Sequence, residues 1–155
     1  MSLKAERRSA ARPVRETRHR AREVALQMLY QWEVGRVPMA DVLRTFWLHA
    51  QPDTAQLADE LRTFAATLAT GVTEAVGTID PAIVDAAEHW RLERMNVLDR
   101  LILRMAIYEF LHESGTPARV IINEALELAR TFSGDDSVRF VNGVLDAVRR
   151  RLERE

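Results

Sequence analysis

Apolar residues recur along this chain at the three- and four-residue spacing of amphipathic helices, and no stretch alternates with the two-residue period of a strand. Ala21, Val24, Ala25, Met28, Leu29 and Trp32 form the first such stripe, which predicts a helix from Thr17 or Arg18 to a stop at Gly35. Pro38 opens a second helix, with Met39, Val42, Leu43, Phe46 and Trp47 turned inward, and Pro52 ends it. Asp53 with Gln56 reads as a capping-box start for a long third helix. Its stripe is Leu57, Leu61, Phe64, Ala65, Leu68, Val72 and Val76, with Thr70-Gly71 as a bend and Gly77 as the stop. Asp80-Pro81 then caps a fourth, predicted to be buried through Ile83, Ala86, Ala87 and Trp90.

The stretch from Met95 to Leu152 organises the rest. A helix from Asn96 to about His112 carries Leu98, Leu101, Ile102, Met105 and Tyr108 on one face and leaves only a narrow polar sector of Asn96, Arg100 and Arg104. A helix that apolar is a buried central one. Ser114-Gly115-Thr116-Pro117 supplies a stop, an N-cap and a proline at the first helical position. The following helix buries Ile121, Ala125, Leu128, Ala129 and Phe132. Ser133-Gly134-Asp135-Asp136 closes it and caps a last helix facing inward through Val141, Val144, Leu145, Val148 and Leu152. The expected fold is all-α: a compact bundle of about seven helices in two sub-bundles, residues 18–77 and 78–155, forming one domain behind a basic arm, 1–17.

Charge changes the picture more than composition does. The net charge is only −1, but residues 1–22 hold eight basic side chains against Glu6 and Glu16, a balance of +6 that leaves −7 on the other 133 residues. A basic arm on an acidic body suits gripping phosphates with one end while docking a basic protein elsewhere. The alternative reading of the first fifteen residues is a solvated tail. With no cysteine the chain has neither disulfides nor thiolate metal sites, and no apolar run approaches the roughly 20 residues needed to span a bilayer. A cytoplasmic protein is expected.

Catalytic chemistry is hard to find. His19, His49, His89 and His112 stand far apart, and none has a second histidine one helical turn away to share a metal. Asp135-Asp136 reads as a helix cap, Glu124 and Glu127 as surface carboxylates with Glu127 pairing to Arg130, and Glu109 as a partly buried carboxylate with a structural partner. No catalytic residue, metal or cofactor is expected. A second line on the first helix, Arg22, Leu26 and Tyr30, is either a phosphate-seeking guanidinium beside an apolar ledge or a face packed under a neighbouring helix. Gly143, in a helix interior between Arg139 and Arg150, marks either close helix packing or close approach by a ligand.

Four separated segments also carry a resemblance. Arg20-Ala-Arg-Glu-Val-Ala-Leu-Gln-Met-Leu-Tyr-Gln-Trp32, Leu101-Ile-Leu-Arg-Met-Ala-Ile-Tyr-Glu109, Ile122-Asn-Glu-Ala-Leu-Glu-Leu-Ala129 and Asp136-Ser-Val-Arg-Phe-Val-Asn-Gly-Val-Leu-Asp146 resemble, in order and spacing, the NusB family of bacterial transcription antitermination factors. The resemblance covers residues 18 to 152, in pattern only over 36–80. It implies binding to the boxA element of ribosomal RNA leader transcripts jointly with NusE, a small-subunit ribosomal protein, within an RNA polymerase antitermination complex. It carries RNA contact to Arg18, Arg20, Arg22, Arg139 and Phe140, and the NusE-facing surface to Tyr30 and Asp99. Asp136 matches a position tied to antitermination strength; an acid there repels phosphate, so Asp136→Asn is expected to tighten RNA binding. Family members occur as monomers and dimers, and the pattern does not choose between them. A NusB-like domain also fronts certain ribosomal-RNA cytosine methyltransferases, but this chain ends soon after the last bundle helix, so a free-standing factor is expected. A helical protein-interaction module without RNA affinity is the alternative from another class.

Overall fold

The computed structural model describes residues 14–88 and 90–154, the side chains of 14–17 and 53 apart. Most of the expected arm, residues 1–13, and His89 lie outside the described residues. Among the described residues there are six helices of seven or more residues, one single helical turn and no strand. In chain order they are α1 (Val14–Glu33), α2 (Met39–Thr45) continued by a 3-10 turn (Phe46–Leu48), the single turn α3 (Pro52–Ala55), α4 (Asp59–Ala86), a 3-10 turn (Leu92–Arg94), α5 (Val97–His112), α6 (Ala118–Phe132) and α7 (Asp135–Arg151). The all-α bundle is as the sequence predicts.

α5 is the axis of the bundle. Leu101, Ile102, Leu103, Met105, Ala106 and Ile107 are all buried, so the helix is enclosed on nearly every side by α1, α4, α6 and α7. Asn96 caps it by accepting a hydrogen bond from the Leu98 N–H at 2.9 Å, satisfying one of the orphan donors of the first turn. α1 runs antiparallel to it and is clamped by ion pairs at both ends. Near the start of α1, Arg22 meets Glu109, and at its end Glu33 meets Arg100 at 2.8 Å and Arg104 at 3.2 Å. Arg154, beyond α7, donates to the carbonyls of Phe110, Glu113 and Thr116, each at 3.0 Å, and so ties the end of the chain across the α5–α6 corner.

The third and fourth expected helices are one. α4 runs unbroken through Gly77 and Pro81, although a mid-helix proline removes a backbone bond at a cost of about 3 kcal/mol and a glycine adds about 1 kcal/mol. Tertiary contacts outweigh both. Ile79 and Ile83 are fully buried, and Asp80 accepts two hydrogen bonds from Arg104 at 2.8 and 2.9 Å. The carbonyl left without a partner by Pro81 belongs to Gly77, an exposed position where solvent can take the bond. α4 also begins at Asp59 instead of Asp53, because Pro52 starts the separate turn α3. Trp90, expected in the core, lies beyond the end of α4 and is 56 % exposed.

Two caps differ from expectation. Pro117 stands at the N-cap position of α6 without a side-chain bond. Gly134, with φ +139°, occupies that position for α7, placing Asp135 and Asp136 inside the first turn, where they face the positive end of the helix dipole.

Gly71 makes no bend; it makes room. A methyl group there would lie 2.2 Å from the ring of Tyr108, which is itself stacked on His112 at 4.6 Å. Gly71→Ala is therefore expected to destabilise the fold by about 1–3 kcal/mol in urea titrations. In a Tyr108→Ala background the clash is gone, and the same change should instead stabilise by up to about 1 kcal/mol through helix propensity. Equal costs in both backgrounds would contradict this packing.

Candidate RNA- and partner-binding surface

The arginines at the start of α1 separate into three environments. Arg18 is exposed, with its guanidinium 5.0 Å from the centre of the Phe64 ring. Arg20 is a third exposed, bonded to Glu23 at 3.1 Å and to the Thr54 hydroxyl at 3.3 Å. Arg22 is 2 % exposed. Its Nε and Nη2 donate to the two oxygens of Glu109 at 3.0 and 2.7 Å, Nη1 stands 3.8 Å from Glu124, and Phe64 covers it at 5.4 Å. The expectation that Arg22 contacts RNA does not fit this geometry, because the guanidinium is buried in the bundle between Glu109, Glu124 and Phe64. The expectation for Glu109 does fit, since its structural partner is Arg22.

Glu124, expected on the surface, is buried. Beyond its contact with Arg22 it lies 2.5 Å from Nδ1 of His19, whose Nε2 faces Glu23 at 3.2 Å. The hydrogen bonds that His19 donates to Glu124, and then to Glu23, push its pKa up to about 9, against the opposing effect of burial. Glu23 in turn is held below the usual carboxylate range, first by its bond to His19. A protonated His19 thus pins the arginine end of α1 to α6.

Two depressions follow, the first alongside α1 and the second at the opposite end of the bundle, where α5 starts. The first, a groove of about 530 Å³, is lined by Leu26, Tyr30, Phe46, Thr54, Leu98 and Phe132 among others. Leu26 is buried under its neighbours whereas Tyr30 is 42 % exposed, so the line of residues expected on α1 divides into a packed part and an open one. Thr54, bonded to Arg20, sits on the wall, so the arginine end of α1 opens directly onto the groove. The second, a cavity of about 270 Å³, is lined by Trp90, Arg94, Met95, Asn96, Asp99, Asp136, Ser137 and Phe140. Phe140 meets Trp90 edge-on at 5.5 Å. Leu98 and Asp99 are consecutive, so the two depressions lie on either side of the first turn of α5.

Tyr30 and Asp99, expected on one partner-facing surface, therefore line different depressions. Asp136 and Arg139, both highly exposed, are paired with each other at the mouth of the cavity. Around Gly143 a methyl group would meet nothing within 4 Å, which removes close helix packing as the reason for that glycine. Among the described residues no histidine or carboxylate cluster is arranged to hold a metal ion, and no helix is long and apolar enough to cross a membrane.

The family model of the NusB family matches residues 19–150, nearly all of the described chain. The chain belongs to the NusB family. A transcription antitermination protein NusB of Solibacter usitatus is 46 % identical over 136 residues, covering 88 % of this chain and 90 % of the relative. Among solved structures, T. maritima NusB superposes with a TM-score of 0.76 at 32 % identity, covering 86 % of this chain and 90 % of that one. A chain in a crystal structure of the antitermination factors NusB and NusE in complex with double-stranded RNA shares the fold at 19 % identity, with a TM-score of 0.74 and coverage of 88 % and 98 %. Trp90 and Glu124 are among the residues that sequence reasoning placed wrongly, as are Phe132 and Leu152, expected inward and each 38 % exposed. Glu124 had a signal, because it lies one turn from both Ile121 and Leu128 on the inward stripe of α6.

Proposed function

We propose that this member of the NusB family acts as a transcription antitermination factor that binds boxA RNA of ribosomal RNA leaders together with NusE, as a scaffold without turnover. The observation that carries this reading is the continuity between the exposed arginines of α1 and an open groove. Arg20 bonds to Thr54, Thr54 walls the groove, Leu98 and Phe132 line it too, and the cavity with Phe140, beside the Asp136–Arg139 pair, follows across the first turn of α5. A single strand that runs from these arginines past the rim of the groove to the cavity has guanidinium groups for its phosphates at one end and aromatic faces for its bases at the other, and leaves the groove itself to a partner.

RNA contact is assigned to Arg18, Arg20, Arg139 and Phe140, and withheld from Arg22. The partner protein is assigned to the groove at Tyr30, where half-exposed aromatic and aliphatic side chains adjoin an acidic body that suits a basic ribosomal protein. The test is binding of a boxA RNA and a scrambled RNA at two salt concentrations, with and without NusE. Arg18→Ala with Arg20→Ala should weaken boxA binding by at least about tenfold and lower the salt slope by about 1.4, the share of two phosphate contacts on a single strand. Asp136→Asn, which removes a negative charge and releases Arg139, should tighten it. Equal affinity for both RNAs, unaffected by NusE, would leave only an electrostatic tail on a protein-interaction module.

A further inference from the structure

Both ring nitrogens of His19 face carboxylates. Nδ1 lies 2.5 Å from Glu124 of α6, and Nε2 lies 3.2 Å from Glu23, one turn further along α1. An ionised carboxylate only accepts hydrogen bonds, and a neutral imidazole carries a single N–H, so the ring can serve both partners only as an imidazolium. That requirement follows from where the atoms stand, and a pKa of about 9 agrees with it. His19 is thus a third cation, set between Arg18 and Arg20 in the sequence but bonded inward to the buried Glu124.

Glu23 connects this ring to the arginine end. Its Oε1 faces His19 while its Oε2 accepts a bond from Nη1 of Arg20 at 3.1 Å, so one carboxylate is divided between two cations. Behind His19 on α1, Arg22 is held by Glu109 of α5 and faces Glu124 of α6. From α4 comes the ring of Phe64, which faces Arg18 and Arg22. Among the described residues, a charged His19 joins Arg20 and Arg22 to balance Glu23, Glu109 and Glu124, and Arg18 then gives the end of α1 a net positive charge. A neutral His19 cancels that excess. Glu23 is then balanced by Arg20 alone, and an approaching phosphate meets a group of side chains with no net attraction for it.

We infer that His19 is a positioning residue for RNA binding: as an imidazolium anchored on Glu124 it neutralises Glu23, so that Arg18 and Arg20 meet a phosphate with net positive charge. This role rests on the RNA-binding reading above and deepens it by naming a residue that acts through its neighbours. Glu124 gives the ring its place, because a bond to a residue 105 positions away fixes the imidazole on one oxygen of Glu23 and leaves the other to Arg20. Linkage makes the effect reciprocal. A phosphate held by the arginines favours the charged ring, so the RNA complex keeps the His19 proton to higher pH than the free protein does.

The experiment measures affinity for boxA RNA at neutral pH, with the full chain and NusE, in the wild type, His19→Gln, Glu23→Gln and the double variant. Glutamine can donate a hydrogen bond but carries no charge. His19→Gln should weaken binding about fivefold or more, Glu23→Gln should not weaken it, and the double variant should return to within about twofold of wild type. Removing the carboxylate removes the need for its counter-ion, whereas a merely structural role makes the double variant the weakest of the three. Alongside, the imidazole C–H resonances of His19 are followed by NMR through the alkaline range, and should titrate at higher pH in the RNA complex than in the free chain. Should His19→Gln fail to fold, that displacement alone decides. A double variant as weak as His19→Gln, or a titration that RNA leaves in place, overturns the role of His19; if Arg18→Ala with Arg20→Ala still weakens binding, RNA contact at the arginines stands without it. Absence of any preference for boxA over a scrambled RNA in the wild type overturns both.

Discussion

Arg22→Ala is expected to cost about 3–5 kcal/mol of folding free energy, a large fraction of the roughly 5–15 kcal/mol that holds a domain together. The substitution leaves the buried Glu109 without the guanidinium that bonds both its oxygens, close to Glu124, which keeps His19. Desolvation of an unpaired carboxylate, and not the lost Coulomb attraction itself, sets that size. A control distinguishes the two: replacing both partners, Arg22→Met with Glu109→Leu, should recover most of the loss. Urea denaturation of the single and double variants measures it. A loss under about 1 kcal/mol for Arg22→Ala would mean that solvent reaches these carboxylates. The same reasoning separates Arg22 from its neighbours in any RNA assay, since weaker binding by an Arg22 variant would report a disturbed α1 and not a missing phosphate contact.

The second large effect is on pH. In the unfolded chain His19 titrates near 6.5, and in the folded chain it is held protonated up to about 9 by Glu124 and Glu23. A raised folded pKa contributes stability that is fully present below about 6.5 and is lost as pH rises from there through about 9. At about 1.4 kcal/mol per unit the loss is at most on the order of 3 kcal/mol. Glu23, with its pKa lowered chiefly by the same bond, acts oppositely: its contribution is present above the ordinary carboxylate range and fades as pH falls through its depressed value. Stability should therefore be flat at mildly acidic pH and decline on both sides. Unfolding free energies at mildly acidic, neutral and mildly alkaline pH test the alkaline limb, which His19→Gln should flatten. Parallel declines in wild type and variant would show that other groups carry it.

Much of this fold was legible because the helical stripes were. Ala21, Val24, Ala25, Met28 and Leu29 on α1, and Val141, Val144, Leu145 and Val148 on α7, are buried as their spacing predicts. What could not be read was local signal outvoted by distant contacts. Gly77 and Pro81 are punctuation by any local rule, and only Arg104, which lies 24 residues from Asp80, shows why the helix ignores them. Arg22 has an ambiguity of the same kind. It sits beside Ala21 and one turn before Leu26, within reach of the inward face, but a guanidinium there is credible only once Glu109 is known to face it. The candidate site was legible as a set of residues and not as a surface: Tyr30 and Asp99 share a role in the resemblance, yet the first turn of α5 stands between them.

The unbroken α4 has a further bearing on how two ligands meet. Two sub-bundles joined by a loop could rock against each other, and the distance between their binding surfaces would drift. At 28 residues, α4 is a rod about 42 Å long, with buried side chains from Ala65 to Ile83 that lie on both sides of the boundary expected at 77/78. That rocking is removed. The groove at Tyr30 and the cavity at Asp99 have the first turn of α5 as their common wall, in a bundle that α4 braces, so they keep a fixed spacing before either is filled; the first ligand to bind finds the geometry already set for the second, and little ordering entropy remains to oppose a three-component complex.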